Sequence, residues 1–117
     1  MKYKRDEAFR YQFKEPIEAT FTFQTGNTNR MSKMGKATII DLSPNGLKFT
    51  SELDLPVDNK ELLFFFRFIL NKKEFSIPGN IIWKKQRHNY FQYGYEGKND
   101  EETKKRIIEV LKEYSKS

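Results

Sequence analysis

Over most of this chain apolar and polar residues trade places every second position, and near the end the period lengthens to three or four. From Ile17 to Phe23, Ile17, Ala19, Phe21 and Phe23 fall on one face while Glu18, Thr20 and Thr22 fall on the other. Successive strand side chains point to opposite faces, so this predicts a half-buried strand. Lys36 to Leu42, rich in β-branched residues, predicts a second strand. It breaks at Ser43-Pro44-Asn45-Gly46, a run of turn formers, and Gly46 to Ser51 returns with Leu47 and Phe49 on one face. Glu61 to Leu70 is apolar on nearly both faces, and Asn71-Lys72-Lys73 is a tight hairpin connection into Glu74 to Lys85. Pro78-Gly79 inside that partner strand implies a bulge or an edge position. Tyr90 to Glu96 makes a sixth strand.

Then the period changes. Ile107, Val110, Leu111 and Tyr114 recur at helical spacing, with Ile108 beside them. Asn99 followed by Glu102 predicts an N-cap with an acidic third residue, and Asp100, Glu101 and Glu102 suit the positive end of a helix. Six short strands before one amphipathic helix predict a mostly β fold, an antiparallel barrel or sandwich whose helix covers an apolar opening or face. The two-faced run Leu62 to Leu70 predicts such a cover on its outer side, and Phe64-Phe65-Phe66 reads as core plus helix contact. Residues 1–12, charged and without a clear period, read as a basic arm; residues 13–117 read as a single domain.

Composition narrows the chemistry. The 117 residues include eleven Phe and six Tyr, which suit a small core filled with large rings. With no Cys and one His, disulfides, thiolate chemistry and multi-His metal sites are excluded. No apolar run is long enough to span a bilayer and no signal peptide is visible, so a cytoplasmic location without membrane insertion is expected. The net charge of +6 favours anionic partners, or serves solubility alone. No catalytic carboxylate pair, Gly-rich phosphate loop or Ser/His/Asp order is present, so no enzyme is expected.

The turn Asp41-Leu42-Ser43-Pro44-Asn45-Gly46 is the best candidate site. Asp41 offers carboxylate oxygens to a guanine edge or an Arg guanidinium, Ser43 can donate to an anion, and Gly46 admits close backbone approach. A plain β-turn in which Asp41 and Ser43 cap their own backbone explains the same residues. Trp83, beside Ile81 and Ile82, reads as core or rim packing or as the wall of a groove. His88 reads as solvated, and its loop, Lys84 to Asn89, as exposed charge or a patch for an acidic partner.

Taken together, these residues resemble the PilZ family, bacterial receptor domains for cyclic di-GMP. That family pairs an RxxxR arm with a D/NxSxxG turn between its second and third strands, and Asp41 to Gly46 fits the turn in full. Gly79-Asn80-Ile81-Ile82-Trp83 resembles a later strand of the family, and Tyr93-Gly94-Tyr95 before the acidic helix start resembles its ending. The resemblance implies a six-stranded antiparallel PilZ-like barrel with a C-terminal helix, and no cofactor. It also implies cyclic di-GMP as ligand, bound by Arg5, Arg10, Asp41, Ser43 and Gly46, with the signal relayed to an effector protein. The arm departs from the pattern: Arg5 and Arg10 stand five apart instead of four, and Asp6 falls on the first Arg position. Residues five apart diverge on a strand or a helix alike. A PilZ-like adaptor that works by protein contact without the nucleotide is therefore the alternative. A nucleic-acid-binding barrel ranks last, because the basic residues are scattered and the aromatics follow the core pattern.

Overall fold

Alternation along each strand sorts the side chains into an inside and an outside, and the sheet closes around the inside. In this computed structural model, which describes residues 10–25, 30–57, 59 and 61–116, the strands are β1 (Tyr11–Thr25), β2 (Gly35–Ser43), β3 (Gly46–Ser51), β4 (Leu62–Leu70), β5 (Lys73–Gln86) and β6 (Phe91–Gly97). One helix, α1 (Glu101–Ser115), follows. All neighbouring strands are antiparallel, and the order β1-β2-β3-β6-β5-β4 closes into a barrel, as expected. Closure leaves no edge strand to pair with another chain. Phe21, Phe49, Phe66, Tyr93 and Tyr95 fill the interior, with Phe49 touching the other four rings at centroid distances of 4.7 to 6.4 Å.

The two ends of the barrel are closed differently. At one end lie the β2–β3 turn, the β4–β5 turn and α1, whose Ile107, Val110 and Leu111 are fully buried in the core. The β4–β5 turn is a two-residue hairpin with Asn71 at φ 52 and Lys72 at φ 68, the left-handed pair that matches the twist of the flanking strands. At the other end the segment after β3 folds inward and buries Leu55. The Tyr93 hydroxyl accepts from the Leu55 N–H at 2.8 Å and donates to the Leu53 carbonyl at 2.5 Å.

Several expectations are corrected. The first strand starts at Tyr11, not Ile17, and Tyr11 and Gln12 pair with Leu42 and Asp41. A register shift between Gln12 and Ile17 interrupts the alternation there, and Tyr11 and Phe13 pack edge-on against Tyr114 of α1. The helix does not cover the outer face of β4: Arg67 is exposed and Ile69 is 60% exposed. Phe64 and Phe66 point inward while Phe65 lies half-buried on the outside. The cap of α1 is Asp100, whose carboxylate accepts from the Thr103 N–H at 2.8 Å; Asn99 instead donates to the Pro44 carbonyl. Neither alternative for Pro78-Gly79 is met: both residues keep unbroken register with β4, Gly79 also pairs with Gly97 of β6, and the bulge of β5 lies further on, between Ile81 and Trp83.

Candidate functional site

Two extra residues set which side chains reach the outer surface. Ala37 and Ile39 of β2 point into the barrel, so strict alternation would send Asp41 inward too. Between Ile39 and Asp41, β2 advances two residues while β3 advances one, from Phe49 to Lys48; Ile40 is the extra residue of a bulge. The bulge reverses the parity, and Asp41 emerges on the outside opposite Lys48. The same device operates in β5. Phe75, Ile77 and Ile81 point inward, the register shifts between Ile81 and Trp83, and Trp83 emerges opposite Gly94.

Both bulges deliver to one row. Gln12 lies opposite Asp41, Asp41 opposite Lys48, Lys48 opposite Gly94, and Gly94 opposite Trp83, so the row crosses five adjacent strands. Gly94 leaves room for the ring, because a Cβ there would stand 2.0 Å from the Trp83 indole nitrogen. The indole lies over that bare backbone and is 38% exposed.

Asp41 is the anionic centre of the row. Its Oδ1 accepts from Arg10 Nη1 at 2.5 Å, and its Oδ2 lies 3.5 Å from Lys48 Nζ. The carboxylate is nearly buried, whereas the Arg10 side chain is 44% exposed. A buried charge held by two cations is stable where it is, and the more exposed cation is the freer to move.

Among the residues expected from the sequence, the structure brings Arg10 and Asp41 into direct contact, with Ser43 and Gly46 in the turn just beyond. The Ser43 hydroxyl is buried and donates to the Gly46 carbonyl at 3.2 Å. A Cβ on Gly46 would meet the Tyr95 carbonyl at 2.1 Å, so what this glycine admits here is the neighbouring strand. The turn is tied down from outside by Gly97 N–H on the Asn45 carbonyl at 2.8 Å and by Asn99 Nδ2 on the Pro44 carbonyl at 3.0 Å. Arg5 lies outside the described residues.

Sequence reasoning left Lys48 out and gave Trp83 a packing role first. A signal existed. Ile39-Ile40 and Ile81-Ile82 each put two apolar residues in sequence, breaking the alternation just before the residue that the bulge turns outward. Among the described residues no group of three or more His, Asp or Glu could hold a metal ion, and no helix is long and apolar enough to cross a membrane.

A carboxylate with two cations against it and an indole face along one row suit a planar heterocycle that carries both hydrogen-bond donors and a phosphate. Comparison with known proteins points to one family. Its model, the PilZ domain, matches residues 3–113. A search of curated proteins returns no match. Among solved structures, the PilZ domain with c-di-GMP of YcgR from Escherichia coli aligns with a TM-score of 0.66 at 13% identity, over 92% of this chain and 89% of that one. The PilZ domain of CeSA from a cellulose-synthesizing bacterium aligns with a TM-score of 0.55 at 15% identity, over 88% of this chain and 95% of that one. YcgR of Escherichia coli in complex with c-di-GMP gives a TM-score of 0.59 at 15% identity, over 92% of this chain and 46% of that one. At such identities the likeness speaks to the fold, and with the family match running over nearly the whole length, this chain belongs to the PilZ domain family.

Proposed function

We propose that this PilZ domain is a non-enzymatic, cytoplasmic receptor that binds cyclic di-GMP on its outer wall and relays the signal to a partner protein. The observation that carries the reading is the contact between Arg10, at the end of the arm, and Asp41, at the start of the DxSxxG turn. It joins the two halves of the family's pattern on one face. The YcgR structures it resembles hold c-di-GMP, which supports the same ligand here.

Each group has a part that its chemistry allows. The guanine edge presents N–H donors, and Asp41 is an acceptor with two oxygens. The phosphodiesters are anions, and a planar guanidinium such as that of Arg10 or Arg5 can bind phosphate while stacking on a base. Trp83 supplies an aromatic face at the far end of the row. For the nucleotide to bind, Arg10 exchanges its carboxylate for a phosphate while Lys48 stays to balance Asp41. Ser43 and Gly46 hold the turn in the form that presents Asp41. The arm, drawn over the ligand, forms a surface that the free protein lacks, and this surface is what the effector reads.

Calorimetry with cyclic di-GMP tests the reading. Wild type should bind in the micromolar range, and Arg10→Ala and Asp41→Ala should each weaken binding by about tenfold or more, the loss expected for one charge-assisted hydrogen bond. Absence of heat with folded wild type would rule the nucleotide out. That result would favour the second reading, a PilZ-like adaptor acting by protein contact. The five-residue separation of Arg5 and Arg10, and the engagement of Arg10 by Asp41, are the observations behind it.

A further inference from the structure

The outer wall away from this row carries a pattern of its own. Thr20 of β1 lies opposite Arg67 of β4. One step of alternation along each strand, Glu18 and Ile69 project beside them on the same face. The four make a square, with opposite charges on one diagonal and Thr20 and Ile69 on the other. Neither Glu18 nor Arg67 enters an ion pair among the described residues; Arg67 donates only to the Thr22 hydroxyl, at 3.3 Å. Ile69 is 60% exposed beside them.

The surroundings of the square add shape and apolar area. A cavity of about 1630 Å³ lies over this wall, bounded by Met34, Leu53 and Tyr90 towards one end of the barrel and Arg106 towards the other. Among the described residues seven large apolar side chains are exposed, and four of them, Met34, Leu53, Ile69 and Tyr90, line this one cavity. These four side chains border one open groove, and apolar groups there are what a docked surface would cover. None of Arg10, Asp41, Lys48 or Trp83 borders it.

We propose that the occupant is a second copy of this chain, docked through the β1–β4 face about a two-fold axis along the Thr20–Ile69 diagonal. Charge self-complementarity argues for it. Rotation about that diagonal leaves Thr20 facing Thr20 and Ile69 facing Ile69, and it exchanges Arg67 with Glu18, so each guanidinium meets the carboxylate of the other copy. That is the requirement of an isologous contact, in which residue i meets j and j meets i. The operation also crosses the strands of the two copies near a right angle. A closed barrel of twisted strands is a hyperboloid, convex around its axis and concave along it, and a saddle fits another saddle when turned by a right angle.

Sedimentation equilibrium over a dilution series, in low and high salt, tests the proposal. Wild type should approach twice the 14.0 kDa chain mass, more readily in low salt. Arg67→Glu and Glu18→Arg should each weaken association by at least about tenfold, since the symmetry removes two close charge pairs at once. The double variant Glu18→Arg/Arg67→Glu restores both pairs and should dimerise again. The four substituted positions, Glu18, Arg67, Ile69 and Ile82, are on the surface, and circular dichroism checks the fold. The chain has no cysteine, so Ile69→Cys introduces a sole thiol on the axis, and mild oxidation should link two copies far faster than it links Ile82→Cys. A wild type that stays monomeric throughout, a charge swap that fails to restore association, or equal crosslinking at both cysteines would each overturn the proposal.

Discussion

At the scale of single residues, two contacts carry consequences that a measurement can reach. The first is the indole of Trp83 over the bare backbone of Gly94. Gly94→Ala places a methyl inside the indole's space, and Trp83, being half outside, can swing away without disturbing the core. The expected outcome is a fold of nearly unchanged stability with altered fluorescence from the chain's one tryptophan. Nucleotide binding, where measured, should weaken, because the aromatic face leaves the row. An unchanged emission spectrum would show that the indole does not rest on Gly94. The second contact is the Tyr95 hydroxyl, which donates to the Ile77 carbonyl at 2.7 Å and lies 3.1 Å from that of Phe64. Burial pushes this phenol well above the ordinary tyrosine range, and burial also raises Tyr93. A raised acid keeps its proton in the folded state when the unfolded chain would lose it. The stability it contributes is therefore complete below about pH 10 and falls as pH rises past that value. Tyr95→Phe should cost about 1 to 2 kcal/mol at neutral pH and flatten the alkaline part of a stability–pH curve measured by urea unfolding. None of this could be read from the residues alone. Tyr93 and Tyr95 stand two apart and so share one face of β6, but which carbonyl a hydroxyl meets across the barrel is settled by closure.

At the scale of elements, what was legible was whatever kept a strict period. β3 has clean alternation and was read with its bounds right; β4, apolar on nearly both faces, was bounded instead by the turn residues around it. β1 was cut short because a register shift between Gln12 and Ile17 hides its first turn of pattern. The bulges at Ile40 and Ile82 were missed because an added residue is invisible to a two-residue template, and these same bulges expose Asp41 and Trp83. The candidate site is thus found where the pattern fails. Helix α1 was legible in its apolar stripe but its cap was displaced by one, since Asn99 and Asp100 are both good caps and only tertiary contact separates them. Asn99 is taken up by the Pro44 carbonyl, which leaves Asp100 to the Thr103 N–H. The hydrogen bond from Thr103 holds the Asp100 carboxyl below its ordinary value. A lowered acid contributes stability that is present above its unfolded pKa and is lost as pH falls through the folded one. Acid unfolding below about pH 4 should therefore include a contribution from this cap. Asp100→Asn retains an oxygen for Thr103 and removes the titration, so it should keep most of the neutral-pH stability and lose that part of the acid slope. Asp100→Ala should lower the melting temperature at neutral pH as well. Thermal melts of the three proteins at neutral and acid pH separate the cap's hydrogen bond from its charge.

At the scale of the whole molecule, the wall that carries the row and the plugs that keep the barrel closed are different parts. The row runs over β1, β2, β3, β6 and β5, while the ends are stopped by α1 and by the segment bearing Leu55. No residue of α1 stands in the row, and none of Asp41, Lys48 or Arg10 lies in the apolar core. Stability and binding should therefore respond to different substitutions. Leu111→Ala empties a fully buried site between helix and barrel and should cost about 2 to 5 kcal/mol. Where the variant is still folded, its affinity for cyclic di-GMP should match wild type, because the register that sets the row is fixed by strand pairing and by the rings around Phe49. Asp41→Ala should do the reverse. It removes a carboxylate whose two cations can turn to water, so the fold should lose little, while the nucleotide loses its acceptor. Denaturant unfolding and calorimetry on the same two variants measure both quantities. A fall in affinity for Leu111→Ala as steep as for Asp41→Ala would mean that the helix shapes the wall, and the separation of plug from site would then be wrong.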